Sequence, residues 1–320
     1  MFKKILFFIF LPLISFAQSS SFERGTQLYY QENYRQAKPH FETHLKSNPN
    51  HLKSIEYLGD IAAYATDWDT ALNYYKILVD AHPNNANYNF KYGGVMGRKA
   101  QNSSRFRAAL LVSDIRKHLE KAAQLDPNHI EARWALIDLY IALPSIMGGS
   151  ETTALKYANE LMKISEVDGH LTLGYIAEHF NRPADAERHY KRAIQIGQSP
   201  LTYQKLADLY ENVTNEPEKS IAVREASAKK HQRNNINYQI GKISGMYNVE
   251  LQKGLQYLTT YINNFTVKDG VPVEWAYFRK AQIYRHMGDK TNALKNIDQA
   301  LALNKNFAEA QEERRIINTL

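Results

Sequence analysis

His40 and His44 stand four residues apart, a spacing that puts two imidazoles on one helix face where they could chelate a metal ion. No third ligand follows at a nearby spacing, so the pair reads as packed or surface histidines and no metal site is expected. The other candidate for chemistry is the loop running from Leu143 through Pro144, Ser145, Ile146, Met147, Gly148 and Gly149 to Ser150. A glycine-rich loop ahead of a helix can cradle phosphate on its backbone amides. This one lacks the Gly-Lys-Ser/Thr ending and no strand pattern precedes it, which argues against a nucleotide site. The chain has no G-x-S-x-G, no H-E-x-x-H and no pair of acids in a loop setting. It also has no cysteine, which removes disulfides, thiolate metal sites and cysteine nucleophiles together. The expectation is a non-enzyme without cofactors.

The elements that carry these residues announce themselves by a period. Gly25, Gly59 and Gly93 are 34 residues apart, and so are the pairs Ala37 and Ala71, Pro49 and Pro83. A fixed interval of that length belongs to a helix–turn–helix solenoid, in which each repeat is stabilised by stacking on its neighbours. Small residues recur where two helices of a repeat cross, because a larger side chain there would overpack the contact at a cost of about 1–3 kcal/mol.

The pattern of Gly or Ala, Ala, an aromatic residue and Pro at set positions resembles the tetratricopeptide repeat family. It is carried by Gly25, Ala37, Phe41 and Pro49 in residues 18–51, and by Gly59, Ala71, Tyr75 and Pro83 in 52–85. It recurs in 86–129, 130–166, 167–199 (Gly174, Ala186, Tyr190), 200–233, 234–273 (Gly241, Gly254) and 274–305 (Ala281, Ala293, Ala300). The resemblance implies an all-α, right-handed superhelical solenoid of about eight repeats. Residues 306–320 read as a capping helix with Glu309, Glu312, Glu313, Arg314 and Arg315 on its wet face.

The family lines a concave groove with set positions of the first helix of each repeat. Carried over, these are Phe22, Tyr29, Tyr30, Tyr64, Phe90, Trp134, Tyr175, Tyr238, Trp275 and Phe278, together with Asp60, Glu131, Asp138, Asp168, Glu178, Asp208 and Glu211. Aromatic anchors there would bury a peptide's side chains or stack on sugar rings, or else merely pack between repeats. The acids would favour neutral or basic segments. The Lys and Asn set with which family members clamp an acidic C-terminus is replaced by Glu56, Asp60, Trp134 and Asp138.

Two places break the period. From Arg98 to Lys117 a loop and a lengthened helix carry Arg98, Lys99, Arg105, Arg107, Arg116 and Lys117, either a solvated face or a patch for an anionic partner. The Pro144–Gly149 segment is similar to a Pro-x-x-x-Gly-Gly loop of some exported bacterial members of the family, among them subunits that accompany periplasmic solute-binding proteins. Ile146 and Met147 at its tip would contact a ligand or tuck into the neighbouring repeat.

The N-terminus reads as a secretory leader. Lys3 and Lys4 precede twelve mostly apolar residues, Ile5 to Phe16, and Ser15 and Ala17 suit cleavage before Gln18. The apolar run is short of the roughly 20 residues of a membrane span, and no cysteine follows for a lipoprotein anchor. Removing Lys3 and Lys4 takes the 40 basic side chains to 38 against 33 acidic ones, a net charge of +5 in place of +7. That mild charge, spread over some 300 residues, does not suggest nucleic acid. The reading is a periplasmic or secreted scaffold, with no membrane span once mature, that binds an extended peptide or partner protein. The alternative is a ligand- or glycan-binding accessory subunit of a transport or envelope system.

Overall fold

The computed structural model describes residues 20–320, so the leader expected at 1–17 lies outside them. The described chain is all-α, with its helices packed pairwise in sequence order as a solenoid, and it divides into two compact units. One ends at Ala132 and the other runs Arg133–Leu320.

In the N-terminal unit α1 (Ser21–Tyr30) pairs with α2 (Tyr34–Ser47), α3 (Leu52–Tyr64) with α4 (Trp68–Ala81), and α5 (Ala86–Gln101) with the long α6 (Arg105–Leu125). Helix α7 (Ile130–Ala142) contains the boundary between units. In the C-terminal unit α8 (Glu151–Ile164) packs on α9 (Glu166–His179), and α9 pairs with α10 (Pro183–Gly197). The pairs α11 (Pro200–Asn212) with α12 (Pro217–His231), α13 (Asn234–Tyr247) with α14 (Leu251–Asn263), and α15 (Val273–His286) with α16 (Lys290–Leu303) follow, and α17 (Ala308–Asn318) ends the stack.

Starts are fixed by side-chain caps that satisfy the orphan amides of a first turn. Ser20 and Glu23 form a reciprocal capping box on α1, and Asp67, Ser150, Ser199 and Asp289 accept from the third residue of their helices. In five of the pairs the turn closes on one residue with positive φ, namely Glu32, Thr66, Asn181, Asn215 and Gly288.

The helix crossings differ in one respect from the sequence expectation, in which the small residues of the two helices meet. The atoms nearest to a Cβ built on Gly59 are those of the Tyr75 ring, at 2.6 Å, and those nearest Gly174 belong to Tyr190, at 2.5 Å. The glycine therefore makes room for the aromatic ring sixteen residues later, and that ring is buried in each pair. Helix α17 packs Ala310 and Ile317 on α15 and α16, as a closing helix must. Glu313 is not on its wet face: it is 5% exposed and bonded to Arg285, whose guanidinium reaches it from α15.

Candidate functional site

In the N-terminal unit the first helices of the pairs present a bonded network rather than a free acidic wall. Asp60 accepts from the Tyr29 hydroxyl at 2.9 Å and the Tyr75 hydroxyl at 2.6 Å. Lys91, one repeat further on, donates to Asp60 at 2.7 Å and to Glu56 at 2.6 Å, while Lys53 reaches Glu56 at 3.0 Å. Burial works to raise the Glu56 carboxyl, but bonds to Lys91 and Lys53 outweigh it and hold the group below the usual glutamate range. Burial, reinforced by Asp60, pushes the Tyr29 and Tyr75 phenols far up, so both remain donors at any ordinary pH.

This network has a pH signature. A carboxyl held low in the folded state stabilises it above the ordinary glutamate range, and that contribution is lost as pH falls through the folded value. Lys91→Met, which leaves Glu56 with Lys53 and the Asn87 amide, is expected to cost about 2–3 kcal/mol at neutral pH. The gap between variant and parent should close in acid, as urea titrations across pH 3–7 would record; a gap independent of pH would remove the charge explanation.

The other predicted residues of this unit scatter. Phe22 packs in the core beside Phe41, His51 and Tyr57. His44 lies 4.7 Å from His51 ring to ring, and among the described residues no three His, Cys, Asp or Glu side chains gather to hold a metal. Tyr64 is 72% exposed beside Tyr34, and Phe90 rests half-buried on His129.

In the C-terminal unit Trp134 donates its indole N–H to Asp168 at 2.9 Å and lies 6.5 Å from the Tyr175 ring. Burial, then the charge and hydrogen bond of Asp138, push the Tyr175 phenol up to about 12. Lys205 stands 5.2 Å over the same ring, and Glu178 accepts from Tyr190. Tyr238 and Phe278 are each 4% exposed and belong to the core, which takes them out of any contact surface. Trp275 is half-buried, 4.5 Å from Phe307.

Asp208 opens onto a feature the residue types did not announce. A cleft of about 290 Å³ lies between α11 and α13, with α12 contributing Arg224 and Ser227. The Arg224 guanidinium is held by Asp208 at 2.7 Å and Glu211 at 2.9 Å, and Lys242 completes the chain to Glu211 at 2.8 Å. Gln204, Asn212, Asn235 and Gln239 line the same cleft, and their amides make no hydrogen bond within the described residues. Gln204, Asp208 and Glu211 repeat at i, i+4 and i+7, and Asn235, Gln239 and Lys242 do so 31 residues later. That paired polar stripe is a signal present in the sequence, and a choice of groove positions weighted towards aromatic residues passes over it.

The loop from Pro144 to Ser150 is a tight, braced turn. Pro144 accepts from the amides of Met147 and Gly149, Gly148 takes φ +88°, and the Ser150 amide ties back to Tyr140. Ile146 is 95% exposed at the tip, so it does not tuck into a neighbour; Met147 is half-buried.

Comparison with known proteins agrees with this architecture. Residues 22–86 and 276–307 match two models of the tetratricopeptide repeat. No curated protein matches the sequence. A tetratricopeptide repeat protein from Parabacteroides merdae has a similar fold at 13% identity and a TM-score of 0.51, over 93% of this chain and 97% of its own. A thermophilic repeat protein from Thermus thermophilus aligns at 16% identity with a TM-score of 0.41, over 75% of this chain and 96% of its own. With paired helices and buried ring-on-glycine crossings, the chain carries tetratricopeptide repeats at 22–86 and 276–307 and has a fold similar to that of a tetratricopeptide repeat protein.

Proposed function

We propose that this chain is an exported, non-catalytic scaffold that holds an extended segment of a partner protein against the first helices of its repeats, with the α11–α13 cleft as the main contact. Repeat stacks of this family serve as interaction scaffolds in general, and the finer reading is supported by one observation. Four side-chain amides face a cleft in which Asp208, Glu211, Arg224 and Lys242 pair with one another, while Arg233 at its edge makes no ion pair with a described residue. An extended peptide has unpaired backbone N–H and C=O groups at every residue, and Asn and Gln supply both a donor and an acceptor to meet them. Because the ion pairs of Arg224 and Lys242 consume the acids and Arg233 adds an unpaired cation, the cleft is expected to select a polar segment without basic side chains.

Panning a random peptide library on the chain from Gln18 onward tests this. Gln204→Ala with Gln239→Ala should weaken an enriched peptide about tenfold, the effect of losing one or two well-formed hydrogen bonds. Enrichment of nothing, or of peptides that bind the double variant equally well, would overturn the cleft as the site and bring small ligands and glycans forward. Export is tested separately: the protein recovered from the cell envelope or medium should begin at Gln18.

A further inference from the structure

The long helix α6 carries a surface that the cleft does not use. Its inner side packs Val112, Ile115, Leu119 and Ala122 into the unit. On the opposite side, one turn apart, Phe106 is 76% exposed and Leu110 67% exposed. Arg105 and Arg107 flank this pair, and Lys117 follows on the same outer side, about 11 Å further along the axis at 1.5 Å per residue. Arg105, Arg107 and Lys117 make no ion pair with any described residue, whereas Lys99 is held by Asp69. A shallow hollow bordered by Arg116, Lys117 and Lys121, with the single acid Glu120 among them, lies past the apolar pair. Asp114 is the acid nearest to that pair along the helix.

We propose that the outer face of α6 docks the protein on an anionic lipid bilayer, with Phe106 and Leu110 entering the headgroup–acyl boundary while Arg105, Arg107 and Lys117 pair with lipid phosphates. Two protruding apolar side chains among unpaired cations suit a fluid, negatively charged surface, which closes around them wherever they stand. A folded protein partner would instead have to supply a matched pair of pockets ringed by acids. The lengthened first turns of α6 thus have a use that helix pairing inside the unit does not require.

Flotation of the chain from Gln18, which contains every described helix, with vesicles of phosphatidylglycerol and phosphatidylcholine in equal parts is the test. Binding should appear with these vesicles and not with phosphatidylcholine alone, and should weaken as salt rises. Phe106→Ser with Leu110→Ser, and separately Arg105→Gln with Arg107→Gln, should each reduce binding about tenfold. These positions are on the surface, so unchanged thermal unfolding of both variants would show that the fold is intact. No flotation, equal flotation with neutral vesicles, or binding that survives both variants would overturn the proposal. Release by millimolar glycerol phosphate would also do so, since it would mark a site for a soluble phosphate.

Discussion

Replacing Arg224 by methionine is expected to lower the stability of the C-terminal unit by about 3–5 kcal/mol, the usual cost of stripping one partner from a buried ion group. Arg224 is 8% exposed and bonds to both Asp208 and Glu211. Asp208 keeps access to water, with a side chain 36% exposed, but Glu211 is 4% exposed and would be left with Lys242 alone. Methionine keeps the length and apolar stem of arginine, so the loss reports charge rather than a cavity. The buried carboxylate should then be the seat of the damage, and adding Glu211→Gln to the variant should recover a large part of it. Of the three tryptophans, Trp134 and Trp275 lie in this unit and Trp68 in the other. Urea unfolding followed by fluorescence in a Trp68→Phe background would therefore read the affected unit. A loss below about 1 kcal/mol, or no recovery with Glu211→Gln, would mean that water already reaches Glu211.

The contrast between Asp60 and Asp208 shows what can be read from the chain and what cannot. The period places both on first helices, as found, because an interval of 34 specifies register and therefore which helix a residue occupies. Neither is the free acid that an acidic groove requires: Lys91 quenches one and Arg224 the other, from 31 and 16 residues away. Register says nothing of which long cation bends over which carboxylate, since that depends on rotamers and on the stacking of neighbouring pairs. The aromatics depart from expectation for a related reason. Register gives Trp134 and Tyr238 the same lining, yet one is half-buried and bonded to Asp168 while the other is in the core. A ring placed at a groove position turns inward where a neighbouring helix leaves room for it, and Ala276, in the same core cluster as Tyr238, marks such room in the chain. The division at Ala132 has no counterpart in composition, because it falls inside α7, in a run without glycine or proline.

Gly149→Ala is expected to be the most damaging single methyl that can be added to this chain, at about 3 kcal/mol or more. A Cβ built there would sit 1.8 Å from the carbonyl oxygen of Leu143 and 2.7 Å from its carbonyl carbon. Gly59, Gly174 and Gly241 face a ring or a leucine tip that can swing aside; here the obstacle is backbone, closer than the Met162 backbone that Gly169 meets at 2.5 Å, and moving it breaks the turn. The turn has little slack, since the amides of Met147 and Gly149 both bond to the Pro144 carbonyl and the Ser150 amide bonds to Tyr140 at 2.9 Å. The neighbouring residue provides the control. Gly148 is left-handed at φ +88°, a conformation asparagine tolerates, so Gly148→Asn should cost only about 1 kcal/mol. Hydrogen exchange at the Ser150 and Ala154 amides separates local from global damage: both should lose protection in Gly149→Ala and keep it in Gly148→Asn. If Gly149→Ala unfolds at the same urea concentration as the parent with Ser150 still protected, then the loop has a second stable conformation. In that case the outward presentation of Ile146 is not built into the fold, and no ligand contact should be assigned to it.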